Sequence, residues 1–234
     1  MEPYYYQTLS KAEQSSYQAM QAGLQAFAPS FPVPLLENRA LTDVFMKLRL
    51  DCPQLFYAGT FQYRYYPDSR NAELIPAYLF EKGKLKEHQK ALQARVEKLV
   101  RPVARCSDEE KLLYIHDFIC KNVRYDKLKK QYSHEIIGVL GHGVGVCEGI
   151  AKAVKILCDA LQIQCIIALA ENNPEKGVKY RHAWNVVRLD KKYYHLDCTF
   201  DLSLGNPEEI RYDYFLLSDK QIFRDHERLV WRVP

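Results

Sequence analysis

The sequence predicts an α+β fold in which a helix carrying a cysteine packs against an antiparallel sheet. Two stretches lead to that expectation. In Gly141-His142-Gly143-Val144-Gly145-Val146-Cys147-Glu148-Gly149, glycines alternate with other residues and then give way to a helical pattern. Ile150, Val154, Leu157, Cys158 and Leu161 form the apolar stripe of that helix, while Lys152, Lys155, Asp159 and Gln162 fall on the other face. In the second stretch, Arg181–Val187 and Lys192–Phe200 read as strands around the polar turn Asp190-Lys191-Lys192, so a hairpin is the economical inference.

The preceding elements follow from local signals. Ser10-Lys11-Ala12-Glu13 has the spacing of a capping box, and Tyr17, Met20, Leu24 and Phe27 continue a helical stripe. Pro29, Pro32 and Pro34 then break the chain, and Leu41, Val44, Phe45 and Leu48 suggest a second helix that stops ahead of Cys52-Pro53. Phe61–Tyr66 and Leu74–Phe80 read as an aromatic-rich hairpin whose tyrosines serve sheet packing. Leu85, Leu92, Val96 and Leu99 mark a long helix ending at Arg101-Pro102, and Ser107-Asp108-Glu109-Glu110 caps the next, with His116 packed beside its apolar stripe. After the cysteine-bearing helix come a buried strand at Gln164–Ala170, a turn-rich loop at Glu171–Gly177, a strand at Ile210–Leu217 and a short helix capped by Ser218-Asp219-Lys220-Gln221. The expected division is an N-terminal helical and hairpin region at 1–106 and a core at 107–234.

Bulk properties narrow the function classes. The 234 residues are 47% hydrophobic and 26% charged, the balance of an ordinary globular protein. A net charge of +4 is too slight to argue for nucleic acid, and Lys127, Lys129 and Lys130 read as a solvated loop. No apolar run reaches the length of about 20 residues that a membrane helix needs. Met1–Tyr6 lacks the basic and apolar regions of a signal peptide, so the expected location is the cytoplasm. Seven cysteines with no Cys-x-x-Cys pair argue against a zinc site or a disulfide framework, and neither a metal nor a cofactor is expected.

The chemistry concentrates on three residues. A helix N-terminus carries partial positive charge and unpaired N–H groups, which favour a thiolate at Cys147. The flanking glycines would let the backbone approach a ligand closely. A hairpin can bring His182 close to Asp197, so Cys147, His182 and Asp197 form a candidate nucleophile, base and orienting carboxylate. The backbone N–H of Cys147 is the natural first donor to an oxyanion. His134, His142 and Tyr132 are the candidates for a second. Cys158, Cys165 and Cys198 read as core, the first on the helix stripe and the others in strands.

GVCEGIAKAVKILCDALQIQC followed by RHAWNVVRLDKKYYHLDCTFD resembles the core of the transglutaminase-like superfamily, cysteine enzymes of papain type. HDFICKNVRYD upstream and YDYFLLSDKQIFRDH downstream resemble its bacterial members, so the likeness covers roughly residues 107–226. The resemblance implies a papain-like core and a base in the His-Ala-Trp motif, which is His182; His195 then becomes a packed or supporting residue. It also implies acyl transfer through a thioester on a protein or peptide substrate bearing an amide or a glutamine side chain. Ile150 stands where many members have tyrosine, and Phe200 where tryptophan is usual before Asp201, replacements that bear on cleft shape. The rival readings are a scaffold that keeps the fold without turnover and a redox-sensing thiol.

Overall fold

Ser10, Ser107 and Ser218 each open a capping box, and the computed structural model, which describes residues 3–171, 181–206 and 208–227, starts a helix directly after each of them. The chain divides into two compact units, residues 2–89 and 90–234.

In the first unit, α1 (Tyr4–Gln7) and α2 (Lys11–Gln25) are followed by β1 (Phe31–Pro34), α3 (Asn38–Asp51), β2 (Ala58–Tyr65) and β3 (Asn71–Tyr78). Ser10 Oγ accepts the Glu13 N–H while the Glu13 carboxylate accepts the Ser10 N–H at 2.8 Å, the reciprocal capping expected of that tetrad. The proline-rich stretch read as a break is instead an edge strand: β1 pairs antiparallel with β3, in the order β1-β3-β2. Proline cannot donate to a ladder, but an edge strand has one side on which no donor is needed. The tyrosines do serve packing, Phe27 stacking on Tyr78 at 4.0 Å and Tyr57 donating its hydroxyl to the Leu24 carbonyl. Buried Asp51 accepts the Tyr5 and Tyr6 N–H groups, each at 3.0 Å, and the Tyr17 hydroxyl at 3.1 Å, which satisfies orphan donors at the start of α1.

Helix α4 (Lys82–Val100) leads into the second unit, which contains α5 (Asp108–Asn122), β4 (Arg124–Tyr125), β5 (Val144–Gly145), α6 (Cys147–Ala160), β6 (Cys165–Ala170), β7 (His182–Leu189), β8 (Lys192–Leu196), α7 (Cys198–Leu204) and α8 (Asp219–Ile222). Strands β6, β7 and β8 form an antiparallel sheet in that order, and α6 packs on β6 and β7. The hairpin turns on Asp190 and Lys191, both at positive φ (46° and 67°), the backbone a two-residue turn between right-twisted strands requires. Mixed helix and antiparallel sheet is thus the observed class. Among the described residues no helix is long and apolar enough to cross a membrane.

Three local expectations are corrected. Strand β8 ends at Leu196, so Cys198 lies in a helix, and Asp197 is that helix's N-cap. Residues 210–217 are not a strand: His195 and Leu217 make one isolated bridge, the Tyr214 N–H is drawn to the Asp201 carboxylate at 3.1 Å, and Leu216 sits at φ 54°. Lys152, assigned to the polar face of α6, is completely buried, because Glu135, Glu148 and the His134 carbonyl surround its ammonium. The loop read at 171–177 lies, from residue 172 onward, outside the described residues.

The glycines serve close approach, but of the chain to itself. A Cβ on Gly149 would lie 2.2 Å from the Ser133 carbonyl oxygen, and one on Gly145 would lie 2.6 Å from a Val139 methyl. Gly149→Ala is therefore expected to force the 133–135 backbone off the start of α6 and destabilise by about 1–3 kcal/mol, read as a lowered thermal midpoint.

Candidate active site

Cys147 is half-buried and is the first residue of α6. Val146 before it is extended, and the first helical hydrogen bond runs from the Ile150 N–H to the Val146 carbonyl at 2.9 Å. The N–H groups of Cys147, Glu148 and Gly149 precede that bond and point out of the helix start. A frame of short bonds holds this end in place. The Val146 N–H donates to the Ser133 carbonyl at 3.0 Å, and the Ser133 hydroxyl donates to the Asp126 carboxylate at 2.6 Å. Asp126 also accepts the Leu128 and Lys130 N–H groups, at 3.0 and 2.9 Å, so the loop between β4 and the glycine stretch is closed on one carboxylate. The neighbouring Tyr125 phenol is held above its ordinary range, by burial first and then by the Cys147 sulfur and Asp126.

The hairpin delivers the other two predicted residues to the same place. His182 opens β7, and Asp197 follows β8. His182 Nε2 lies 2.5 Å from Asp197 Oδ2, and the imidazole is near enough to Cys147 for the sulfur to strengthen its hold on a proton. With Nε2 committed to the carboxylate, Nδ1 is the ring nitrogen available to sulfur. Burial alone would push the imidazole below its usual value, but the charge and hydrogen bond of Asp197, with a smaller contribution from Cys147, lift it to about 10. Trp184 stacks on the same ring at 5.7 Å, and Phe200 meets it edge-on at 4.9 Å. These apolar faces exclude water and strengthen the charge interaction between the ring and Asp197.

Asp197 is fully buried and all its acceptor capacity is used. Oδ1 accepts the Thr199 and Phe200 N–H groups at 2.9 and 3.1 Å, which is the capping of α7. Oδ2 faces two imidazoles, His182 and, at 2.8 Å, His226. Burial opposes ionisation, yet the charges and hydrogen bonds of the two histidines hold the carboxyl well below its usual range. His226 continues the network: its Nδ1 lies 2.8 Å from Asp225 Oδ1, and Asp225 Oδ2 accepts the Tyr214 hydroxyl. Sequence reasoning did not single out His226. The available signal was a histidine preceded by an acid just past a capped short helix, a local pattern too common to assign.

Among the described residues, His182, Asp197 and His226 have donor atoms close enough to hold a cation, all within 4.8 Å of one another. Their N···O separations of 2.5 and 2.8 Å are those of shared protons. A tetrahedral zinc ion with bonds of about 2.0–2.1 Å keeps neighbouring donors roughly 3.4 Å apart. The cluster is accordingly read as hydrogen-bonded.

The model of the transglutaminase-like superfamily matches residues 93–198, a span that contains Cys147 and His182 and runs through Asp197. Residues 93–198 are a transglutaminase-like domain. No curated protein matches the sequence. Among solved structures, the chain is similar to a TGase at 12% identity and a TM-score of 0.39, over 61% of this chain and 44% of that one. It is also similar to a proposed cysteine protease from Cytophaga hutchinsonii, at 14% identity and a TM-score of 0.38 over 60% of this chain and 61% of that one. A proposed protease from Parabacteroides distasonis matches at 15% identity and a TM-score of 0.36, over 59% and 36% of the respective chains. The chain thus spans less than two thirds of each of these proteins.

The remaining sequence candidates in the transglutaminase-like domain and its flanks separate cleanly. His195 accepts the Trp184 indole N–H on Nδ1 at 2.8 Å and faces Asp219 through Nε2 at 2.9 Å, so both nitrogens are engaged away from Cys147. Burial holds it below its ordinary value, as expected of a packed neutral ring. His134 Nδ1 faces Glu148 at 3.3 Å, while Tyr132 and His142 contact each other at 5.2 Å. Neither arrangement singles out a second oxyanion donor. Cys158, Cys165 and Cys198 are buried core thiols, and burial pushes Cys198 well above the usual thiol range. His116 is buried against Asp201 at 3.0 Å.

Proposed function

We propose that the transglutaminase-like domain performs thiol-dependent acyl transfer on amide bonds, with Cys147 as nucleophile, His182 as acid and base, and Asp197 as the carboxylate that orients the ring. The single observation that carries this reading is the His182–Asp197 pair, 2.5 Å apart, with the Cys147 sulfur near enough to act on the same ring. The proton of the thiol passes to His182 Nδ1, and the sulfur attacks the amide carbonyl carbon. The carbonyl oxygen takes up the electron pair as an oxyanion, with the Cys147 N–H as its first donor. As the tetrahedral adduct collapses, the C–N bond breaks, His182 returns its proton to the leaving amine, and a thioester remains on Cys147. Water then gives hydrolysis, or a second amine gives transamidation. The substrate class is a protein or peptide with an accessible amide or glutamine side chain, encountered in the cytoplasm, where a thiol nucleophile stays reduced.

Iodoacetamide labelling read by peptide mass analysis tests the reading without a known substrate. At pH 6, Cys147 is expected to label at least tenfold faster than any other cysteine of the chain, and His182→Ala is expected to remove that advantage. Labelling of Cys147 no faster than a free cysteine would favour a non-catalytic scaffold.

A further inference from the structure

We infer that His226 is a second, competing imidazole on the Asp197 carboxylate, and that by sharing Oδ2 with His182 it sets how tightly His182 holds its proton. The inference rests on the acid–base role proposed for His182, and it concerns a residue outside the span that matches the superfamily model.

Asp197 is fixed by the helix it caps. Its Oδ1 already accepts two backbone N–H groups at the start of α7, so the carboxylate is oriented by the helix cap and does not need His226 for its position. What His226 adds is a donor on the oxygen that His182 uses, 2.8 Å from Oδ2, where both side chains are buried. A hydrogen bond to a carboxylate lowers its basicity, so the share taken by His226 weakens the grip on the His182 proton. Asp225 sets the strength of this competition. It faces His226 Nδ1 at 2.8 Å, so a ring carrying both N–H protons serves two carboxylates, whereas a neutral ring serves one. Other titratable groups border the cluster. His182 and Tyr214 present their rings to His226 at 5.4 Å each, His195 feels its charge, and the Cys120 and Cys198 thiols feel that of Asp197.

For the chemistry, the consequence is a compromise. A ring held too firmly as imidazolium would pair well with a thiolate but release its proton poorly to the leaving amine. His226 acts through Asp197, not on the reacting atoms.

A ring-15N NMR titration of His182, assigned by its loss in His182→Ala, reads the effect directly. In His226→Leu the His182 titration is expected to move upward by about one pH unit, because Asp197 then serves one imidazole only. His226→Gln, which keeps an N–H toward Oδ2, is expected to restore the wild-type midpoint. Asp225→Asn alters a carboxylate that is 50% exposed, so it keeps the fold, and is expected to shift His182 in the same direction by less. Labelling of Cys147 at pH 6 is expected to be retained in all three. A His182 midpoint that stays put or falls in both His226→Leu and Asp225→Asn overturns the inference. So does a collapse of Cys147 labelling in His226→Leu, which would make His226 a support for Asp197 alone. Slow labelling of wild-type Cys147 would sink the proposed function while leaving the proton-sharing measurable.

Discussion

Asp197→Asn is expected to lower turnover of an amide substrate by roughly 10³–10⁴-fold while leaving the fold around Cys147 in place. The reason is a change of tautomer. The amide can keep its oxygen on the Thr199 and Phe200 N–H groups, which now bond Oδ1 at 2.9 and 3.1 Å. Its NH2 then occupies the place of Oδ2 and points donors at two imidazole nitrogens that today face an acceptor. His182 must turn Nε2 into an acceptor, and its single proton moves to Nδ1, the nitrogen facing the sulfur. A neutral ring in that tautomer cannot take the thiol's proton, and the carboxylate charge that holds the wild-type ring as imidazolium is gone. Steady-state kinetics and iodoacetamide labelling at Cys147 should fall together, and turnover within tenfold of wild type would remove Asp197 from the mechanism.

The same substitution carries a pH signature in stability. His182 is lifted from its ordinary 6.5 to about 10, so its contribution is fully present below pH 6.5 and is lost as pH rises toward 10. Asp197 is held below its ordinary 3.8, so its contribution is present above that value and is lost as pH falls beneath it. These are two views of one interaction. The stability gap between wild type and Asp197→Asn is therefore expected to be widest between about pH 4 and 6.5 and to narrow toward pH 10. It should reach about 3–5 kcal/mol at its widest, because removing one member of a buried charge pair strands the other. Denaturant melts across that range check the sign; a gap that widens with alkali would contradict the pairing.

What could be read in the sequence was local, and what could not was tertiary. Capping tetrads such as Ser107 to Glu110 act within four residues, so the starts of α2, α5 and α8 were legible without coordinates. Cys147 at a helix start followed from the change of period at Gly149, and the approach of His182 to Asp197 followed from a tight turn between two alternating strands. The strand of Asp197 was overextended because the carboxylate's capping of α7 competes with ladder pairing, and alternation alone does not reveal an N-cap. His226 escaped because it meets Asp197 from 29 residues away, through a segment with no regular strand to announce it. Pro32 and Pro34 were taken as breaks because their missing donors matter in a central strand and not at an edge.

Lys152 is the clearest case, and it supports a prediction of comparable size. Periodicity placed it opposite the apolar stripe, where lysine is ordinarily solvated, yet it is 0% exposed. Its ammonium lies 2.9 Å from Glu135 and 2.8 Å from Glu148, and donates to the His134 carbonyl at 3.1 Å, so its three protons are matched by three acceptors. Glu148 follows Cys147 directly, and Glu135 ends the loop whose Ser133 carbonyl receives the Val146 N–H. The ion cluster therefore ties the start of α6 to the loop beneath it. Lys152→Met is expected to cost about 3–5 kcal/mol, since the nearly buried Glu135 carboxylate loses its cation. At about 2–4 °C per kcal/mol for a unit of this size, the thermal midpoint should fall by about 10 °C. Adding Glu135→Gln should recover much of that loss, because the stranded charge is then gone while the hydrogen-bonding shape remains. If the two substitutions are instead additive, Lys152 and Glu135 are not coupled, and the buried cluster is not what secures the Cys147 end of α6.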